Sequence, residues 1–181
     1  MEPDMTRRSY ALWLVPSGDL RRRLARTIRR LSRAYATPSF PPHVTLASRI
    51  AGPRQEVLAK AAQLAREIPP LTLRLTGIEG RNEYFRCLVA RVGPNKALRQ
   101  AHRLAKRIFG LRAQRPFMPH LSLVYGDLAP STKRKIIASL GKRFDVEFEV
   151  RHMDVVAIQG PPRQWRRVQS IHLTPPGRGG H

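Results

Sequence analysis

The spacing of apolar residues changes period in a regular order along the chain. Ser9 to Val15 (SYALWLV) is an apolar, aromatic run that predicts a buried strand. Pro16-Ser17-Gly18-Asp19 breaks it, and Leu20, Leu24, Ile28 and Leu31 then repeat at helical spacing. A proline-rich approach, Ala36 to Pro42, leads into a strand from His43 to Ser48. A helix is expected from Pro53 to Ile68, with Val57, Leu58, Ala61, Leu64, Ala65 and Ile68 inward, and Pro69-Pro70 stops it. Leu71, Leu73 and Leu75 alternate with polar residues as a half-buried strand, and Ile78 to Asn82 reads as a turn.

The pattern then begins again. A strand is expected over Glu83 to Val92, a helix over Lys96 to Phe109, and an approach loop over Leu111 to Pro119. A strand from His120 to Tyr125, a helix from Thr132 to Leu140 and alternating Phe144, Val146, Phe148 and Val150 complete the second round. Two more strands, Met153 to Ile158 and Arg167 to Leu173, flank a Gly160-Pro161-Pro162 turn. The result is β-α-β-α-β twice. His43 and His120 are 77 residues apart (120 − 43), and Pro16 and Pro94 are 78 apart (94 − 16). These matched offsets predict an α+β fold built by pseudo-symmetric duplication into two lobes. Each lobe would be an antiparallel sheet with helices outside, and the cleft would lie between the lobes. Residues 1–8 read as a loose leader, 9–173 as one bilobed domain, and 174–181 as a Gly/Pro-rich disordered tail.

Composition narrows the function. The formal charge is +22, with 34 Lys and Arg against 12 Asp and Glu. A field of that strength attracts polyanions, so nucleic acid, nucleotides or a membrane surface are candidate partners, and because the arginines are spread along the chain the charge alone does not choose among them. Arg21, Arg22, Arg23, Arg26, Arg29, Arg30 and Arg33 surround one helical stripe and read as a solvated basic face. No apolar run approaches the ~20 residues that cross a bilayer, and no signal peptide is evident. The protein is therefore expected to be a cytoplasmic monomer away from membranes. One cysteine, Cys87, excludes an internal disulfide and a multi-cysteine metal site.

The chemistry is carried by one phrase said twice: Pro42-His43-Val44-Thr45-Leu46 and Pro119-His120-Leu121-Ser122-Leu123. On a strand, His43 and Thr45 share one face, and His120 and Ser122 share another. Val44, Leu46, Leu121 and Leu123 point the other way, into a core. Two adjacent strands of this kind bring two imidazoles and two hydroxyls to one spot. Histidine titrates near neutrality, so one can be the base and the other the acid of a phosphoryl transfer. Thr45 and Ser122 can donate to phosphoryl oxygens. Tyr84, Phe85, Tyr125 and Trp165 are candidates to stack a base or sugar, whereas Trp13 is assigned to the core. His102 is read as a surface residue of a basic helix. His152, His172 and His181 receive no role. A metal held by His43, His120 and Cys87 has no ligand-spaced cluster behind it, so no metal or other cofactor is expected.

The pair His43-Val44-Thr45 and His120-Leu121-Ser122 resembles the 2H phosphoesterases, which carry two His-x-Thr/Ser motifs. Tyr10-Ala-Leu-Trp-Leu-Val-Pro16, Tyr84-Phe-Arg-Cys87, Met118-Pro-His-Leu-Ser-Leu-Val-Tyr125 and Trp165 resemble the plant and fungal cyclic phosphodiesterase branch in the same order. The resemblance implies a metal-free enzyme that converts ADP-ribose 1″,2″-cyclic phosphate to ADP-ribose 1″-phosphate and opens nucleoside 2′,3′-cyclic phosphates. It further implies that His120 activates water and His43 protonates the leaving oxygen, with a family tyrosine at Tyr125. Strand parity opposes that last point. Tyr125 is out of phase with His120 and Ser122 unless the strand ends or bulges before it. Plant members hold several cysteines, so redox control does not carry over. Two alternatives stand beside this reading: an RNA 2′,3′-cyclic phosphodiesterase related to 2′-5′ RNA ligases, and a non-catalytic RNA-binding protein.

Overall fold

The computed structural model describes residues 8–112, 115–141 and 144–174. The leader expected over 1–8 and the tail over 174–181 lie, apart from Arg8 and Thr174, outside the described residues. Among the described residues eight strands and four α-helices follow in this order: β1 Ser9–Leu14, α1 Gly18–Tyr35, β2 Val44–Ala51, α2 Arg54–Glu67, β3 Leu71–Gly80, β4 Leu88–Val92, α3 Lys96–Phe109, β5 His120–Val124, α4 Pro130–Leu140, β6 Val146–Val150, β7 His152–Ala157 and β8 Arg166–His172. This is the α+β arrangement the periodicity predicts. Among the described residues no helix is long and apolar enough to cross a membrane.

Several boundaries differ from expectation: β2 begins at Val44, just after His43, and runs on to Ala51, α4 begins at Pro130, and two stretches change character. The strand β3 runs through Ile78 to Gly80, where a turn was expected, because Gly77 to Gly80 pair with Arg91 to Leu88. Glu83 to Cys87 does not begin β4. Tyr84–Arg86 forms a 3-10 turn instead. Its carbonyls are held by tertiary donors: Gly126 N–H reaches Tyr84 O at 2.9 Å, and Ser122 Oγ–H reaches Phe85 O at 3.0 Å. Gly126 has φ +149°, and a Cβ there would stand 3.2 Å from a Thr37 methyl, so glycine permits this close approach. Beneath the same loop, the buried Lys133 of α4 donates to Arg81 O (2.6 Å) and Asn82 Oδ1 (3.2 Å).

The strand order is β6-β3-β4-β5-β2-β1-β7-β8, with every neighbouring pair antiparallel. Four strands lie on each side of the central β5–β2 junction, as a duplication requires. The halves do not follow chain order, however. β3 joins β4 and β5, while β7 joins β1 and β2. The helices cross over too: α1 packs on β5 and α3 on β2. Tyr10, Leu12 and Leu14 of β1 face the main core, while Ala11, Trp13 and Val15 face a smaller apolar cluster on the opposite side. Thus one face of the sheet is buried under helices and the other is left for a site. β2 and β5 touch through one registered pair, Val44 with Leu121. Away from it the strands splay, and a cavity opens there.

Candidate active site

The one central pair fixes the motifs relative to each other. In antiparallel sense, Val44 opposite Leu121 sets His43 across from Ser122 and Thr45 across from His120. Each histidine thus sits across from the hydroxyl of the other motif. His43 Nδ1 lies 2.7 Å from Pro41 O, and His120 Nδ1 lies 2.9 Å from Met118 O. A carbonyl only accepts, so Nδ1 carries the proton in both rings and Nε2 is left for chemistry. The residue two positions back supplies the carbonyl in both copies, which is the local expression of the repeat. Burial, the larger effect, pushes the His43 imidazole down to about 4, assisted by the charge of His120 and resisted by the Pro41 carbonyl. Burial also lowers His120, with Arg86 and Arg81 adding to it and Met118 O and Glu83 opposing it. Both rings are therefore neutral at neutral pH.

All eight sequence-derived site residues, His43, Thr45, Tyr84, Phe85, His120, Ser122, Tyr125 and Trp165, line one cavity of about 780 Å³. The parity objection to Tyr125 is resolved by the backbone. β5 ends at Val124, and a bulge leaves Leu123 without a registered partner, since Leu88 faces Val124 and Val89 faces Ser122. Tyr125 is thereby turned into the site. It is buried, hydrogen-bonded to Ser122, and its phenol is raised by desolvation. A phosphoryl oxygen would receive the Ser122 proton after rotation about its C–O bond. Tyr84 and Phe85 are half exposed, at 48% and 50%, which fits a mouth rather than a core.

Two residues have roles the sequence reading missed. Trp13 is buried, yet it also lines the cavity and stacks flat on His43, with centroids 3.6 Å apart and planes 7° apart. Its cross-strand partner is Thr45, so it shares the motif's face. Phe40 stacks on Tyr125 at 3.7 Å and meets His43 edge-on at 6.3 Å, while Trp165 lies 5.9 Å from Trp13 and 6.0 Å from Tyr125. These rings keep water from His43, which is the physical source of its depressed basicity. An aromatic residue inside an apolar run gives no sequence signal that separates this role from packing.

His102 is the second case, and a correction. It is not a simple surface residue. It is partly buried, its Nδ1 bonds Leu46 O at 2.8 Å, and it stacks on Phe117 at 3.8 Å and 5°. Burial lowers it, and Lys106 and Arg103 lower it further against the pull of the Leu46 carbonyl. With Ser48, Arg49 and Lys106 it lines a second arm of the same cavity. Cys87 is fully buried in the main core and does not line the cavity. Among the described residues no group of three His, Cys, Asp or Glu is placed to hold a metal. His152 and His172 pair with each other across β7 and β8, Nε2 to Nε2 at 3.2 Å, away from the cavity.

The arrangement has the parts of a phosphoryl-transfer site: two imidazole nitrogens, two hydroxyls between them, and aromatic walls. Comparison with known proteins agrees. In its fold the protein is similar to Escherichia coli LigT complexed with 3′-AMP, at a TM-score of 0.64 and 18% identity over 93% of this chain and 99% of that one. LigT complexed with NADP+ gives 0.60 and 18%, covering 94% and 99%. In sequence, the cyclic phosphodiesterase of Arabidopsis thaliana is 23% identical over 125 residues, 69% of each protein. The family of cyclic phosphodiesterase-like proteins matches residues 8–173. With nearly the whole chain matched and both motifs in place, the protein belongs to the cyclic phosphodiesterase-like family of the 2H phosphoesterases and is a phosphodiesterase.

Proposed function

We infer that this enzyme opens cyclic phosphates on ribose, namely nucleoside 2′,3′-cyclic phosphates and ADP-ribose 1″,2″-cyclic phosphate, to the monoester. The observation that carries this reading is the matched pair of histidines. Each has Nδ1 tied to a backbone carbonyl, and both line the one cavity. Water attacks phosphorus while one Nε2 takes its proton. The P–O bond to ribose breaks, and the departing oxygen receives a proton from the other Nε2. Thr45 and Ser122 donate to the phosphoryl oxygens as negative charge gathers on them. Tyr84, Phe85 and Trp165 flank the base or sugar. Acid–base work by two imidazoles needs no metal, so turnover should persist in EDTA.

The division of labour follows the family: His120 as base and His43 as acid. Burial holds His43 neutral at neutral pH, so its acid role requires that the substrate's phosphate anion return its proton. Titration of His43 by NMR should therefore shift upward when a nucleoside 2′-phosphate is added. No upward shift would reverse the two roles. A second reading, an RNA 2′,3′-cyclic phosphate end as substrate, is favoured by the charge of +22 and by the exposed arginines of α1. A fold kept only for RNA binding is set aside, because the family match makes the chain a phosphodiesterase. The test is hydrolysis in EDTA of adenosine 2′,3′-cyclic phosphate, ADP-ribose 1″,2″-cyclic phosphate and an RNA oligomer ending in a 2′,3′-cyclic phosphate. Turnover of at least one is expected. Turnover of none would remove the reading.

A further inference from the structure

Besides the two motifs, the cavity is lined by aromatic and by cationic side chains that the two-histidine step does not use. Around His43 and Ser122 its walls are aromatic, from Trp13, Phe85, Tyr125 and Trp165. On the Thr45 and His120 side it continues along β2 into an arm lined by Ser48, Arg49, His102 and Lys106. Two features build this arm. First, β2 and β5 separate after their single registered pair, and α3 packs on β2 beside the gap. His102 bonds the carbonyl of Leu46 there and stacks on Phe117, so its ring is fixed on both sides. Lys106 follows one helical turn later, on the same face of α3. Second, β2 is bulged between Ala47 and Ile50, since Leu12 faces Ala47 while Tyr10 faces Ile50. Within that bulge Arg49 adopts a left-handed backbone, φ +57°, which is uncommon for a residue with a Cβ and recurs at ligand sites. Arg49 is also among the residues lining the cavity.

Resting on the cyclic phosphodiesterase reading, we propose that Arg49 and Lys106, set on either side of the fixed ring of His102, form a second anion subsite, which binds a phosphoryl group on the 5′-oxygen of the same ribose whose cyclic phosphate is opened. Thr45 and Arg49 are four residues apart on one strand, about 13 Å before bulging shortens the path. A ribose ring with its 5′-carbon, met by the long side chains of Arg49 and Lys106, bridges that distance. Plain nucleoside 2′,3′-cyclic phosphates leave this subsite empty. Two kinds of molecule fill it: a sugar bearing a 5′-diphosphate, and the terminal nucleotide of an RNA strand. The subsite thus makes 5′-phosphorylation the determinant of substrate choice.

The test is calorimetric binding of adenosine 2′-phosphate and adenosine 2′,5′-bisphosphate to the whole protein at fixed salt, with unaltered protein and with Arg49→Gln/Lys106→Gln. The bisphosphate should bind about tenfold tighter to the unaltered protein, as a charge-assisted contact implies. In the variant the ratio should fall to about twofold, with affinity for the 2′-phosphate retained and circular dichroism unchanged. Equal affinities in the unaltered protein would overturn the subsite even if cyclic phosphates are hydrolysed. A folded variant that loses both ligands alike would also overturn it. Binding of neither ligand, with no turnover, would overturn the active-site reading itself. ADP-ribose 1″,2″-cyclic phosphate and a dinucleotide 2′,3′-cyclic phosphate separate the sources, because the substrate whose kcat/KM falls more in the variant is the one whose 5′-phosphoryl group the subsite holds. A loss with neither contradicts the proposal.

Discussion

Acid should unfold this protein through His43 in particular. Its ring is 5% exposed, covered by Trp13 and edged by Phe40, and burial pushes its pKa to about 4. The unfolded chain titrates near 6.5. Between those values the unfolded state binds the proton and the folded state refuses it. Stability is therefore full above pH 6.5 and falls as the pH drops toward 4. A difference of 2.5 units corresponds to about 3 kcal/mol in the limit, and to about 2 kcal/mol at pH 5. His120, also lowered by burial, adds in the same direction. General repulsion in a chain of charge +22 adds a background that has nothing to do with either ring. His43→Gln separates the two effects, because glutamine does not titrate. Urea unfolding at pH 7 and pH 5 should show the unaltered protein losing about 2 kcal/mol more than the variant over that interval. Equal losses would refute the argument that a desolvated neutral imidazole stands at the centre of the site.

Three further outcomes follow from named contacts. Trp13→Leu removes the ring stacked on His43 and admits water, so the His43 titration seen by NMR should move up toward 6.5; an unmoved titration would deny the ring that role. Tyr125→Phe deletes the hydroxyl bonded to Ser122 and should lower kcat/KM about fivefold, from a net hydrogen bond worth about 1 kcal/mol, with little change in Tm. Unchanged kinetics would make Tyr125 a packing residue only. Lys133→Met leaves the Arg81 carbonyl and Asn82 without their donor and should cost about 1–3 kcal/mol in urea unfolding, loosening the loop that carries Tyr84 and Phe85. An unshifted midpoint would show that the loop is held without Lys133.

Much of this was legible in the chain. Alternation at Leu71, Leu73 and Leu75 and the helical stripe through Leu24, Ile28 and Leu31 are local patterns, and local patterns survive folding. The two His-x-hydroxyl phrases were legible because strand parity alone puts their polar atoms on one face. What escaped was non-local. That β3 joins the half of the sheet with β4 and β5, and β7 the half with β1 and β2, leaves no mark in either strand. The 3-10 turn at Tyr84–Arg86 looks like a strand start until the donors from Gly126 and Ser122 arrive from elsewhere. The bulge that turns Tyr125 inward depends on how β4 pairs with β5, and parity within β5 points the other way. His102 looked like one more polar position on a basic helix, because its partner is a carbonyl 56 residues earlier, freed by the splaying of β2.

The most direct measurement of the central claim is kcat for cyclic-phosphate hydrolysis by His43→Ala, His120→Ala and the double variant, on the substrate the unaltered enzyme turns over fastest. If the two imidazoles divide acid and base work in one step, each single variant loses about 10²–10⁴-fold. The double variant then loses far less than the product of the two, because a step that needs both is already lost with either. A single variant that keeps more than a tenth of the rate, with chemistry rate-limiting, would contradict the two-histidine account.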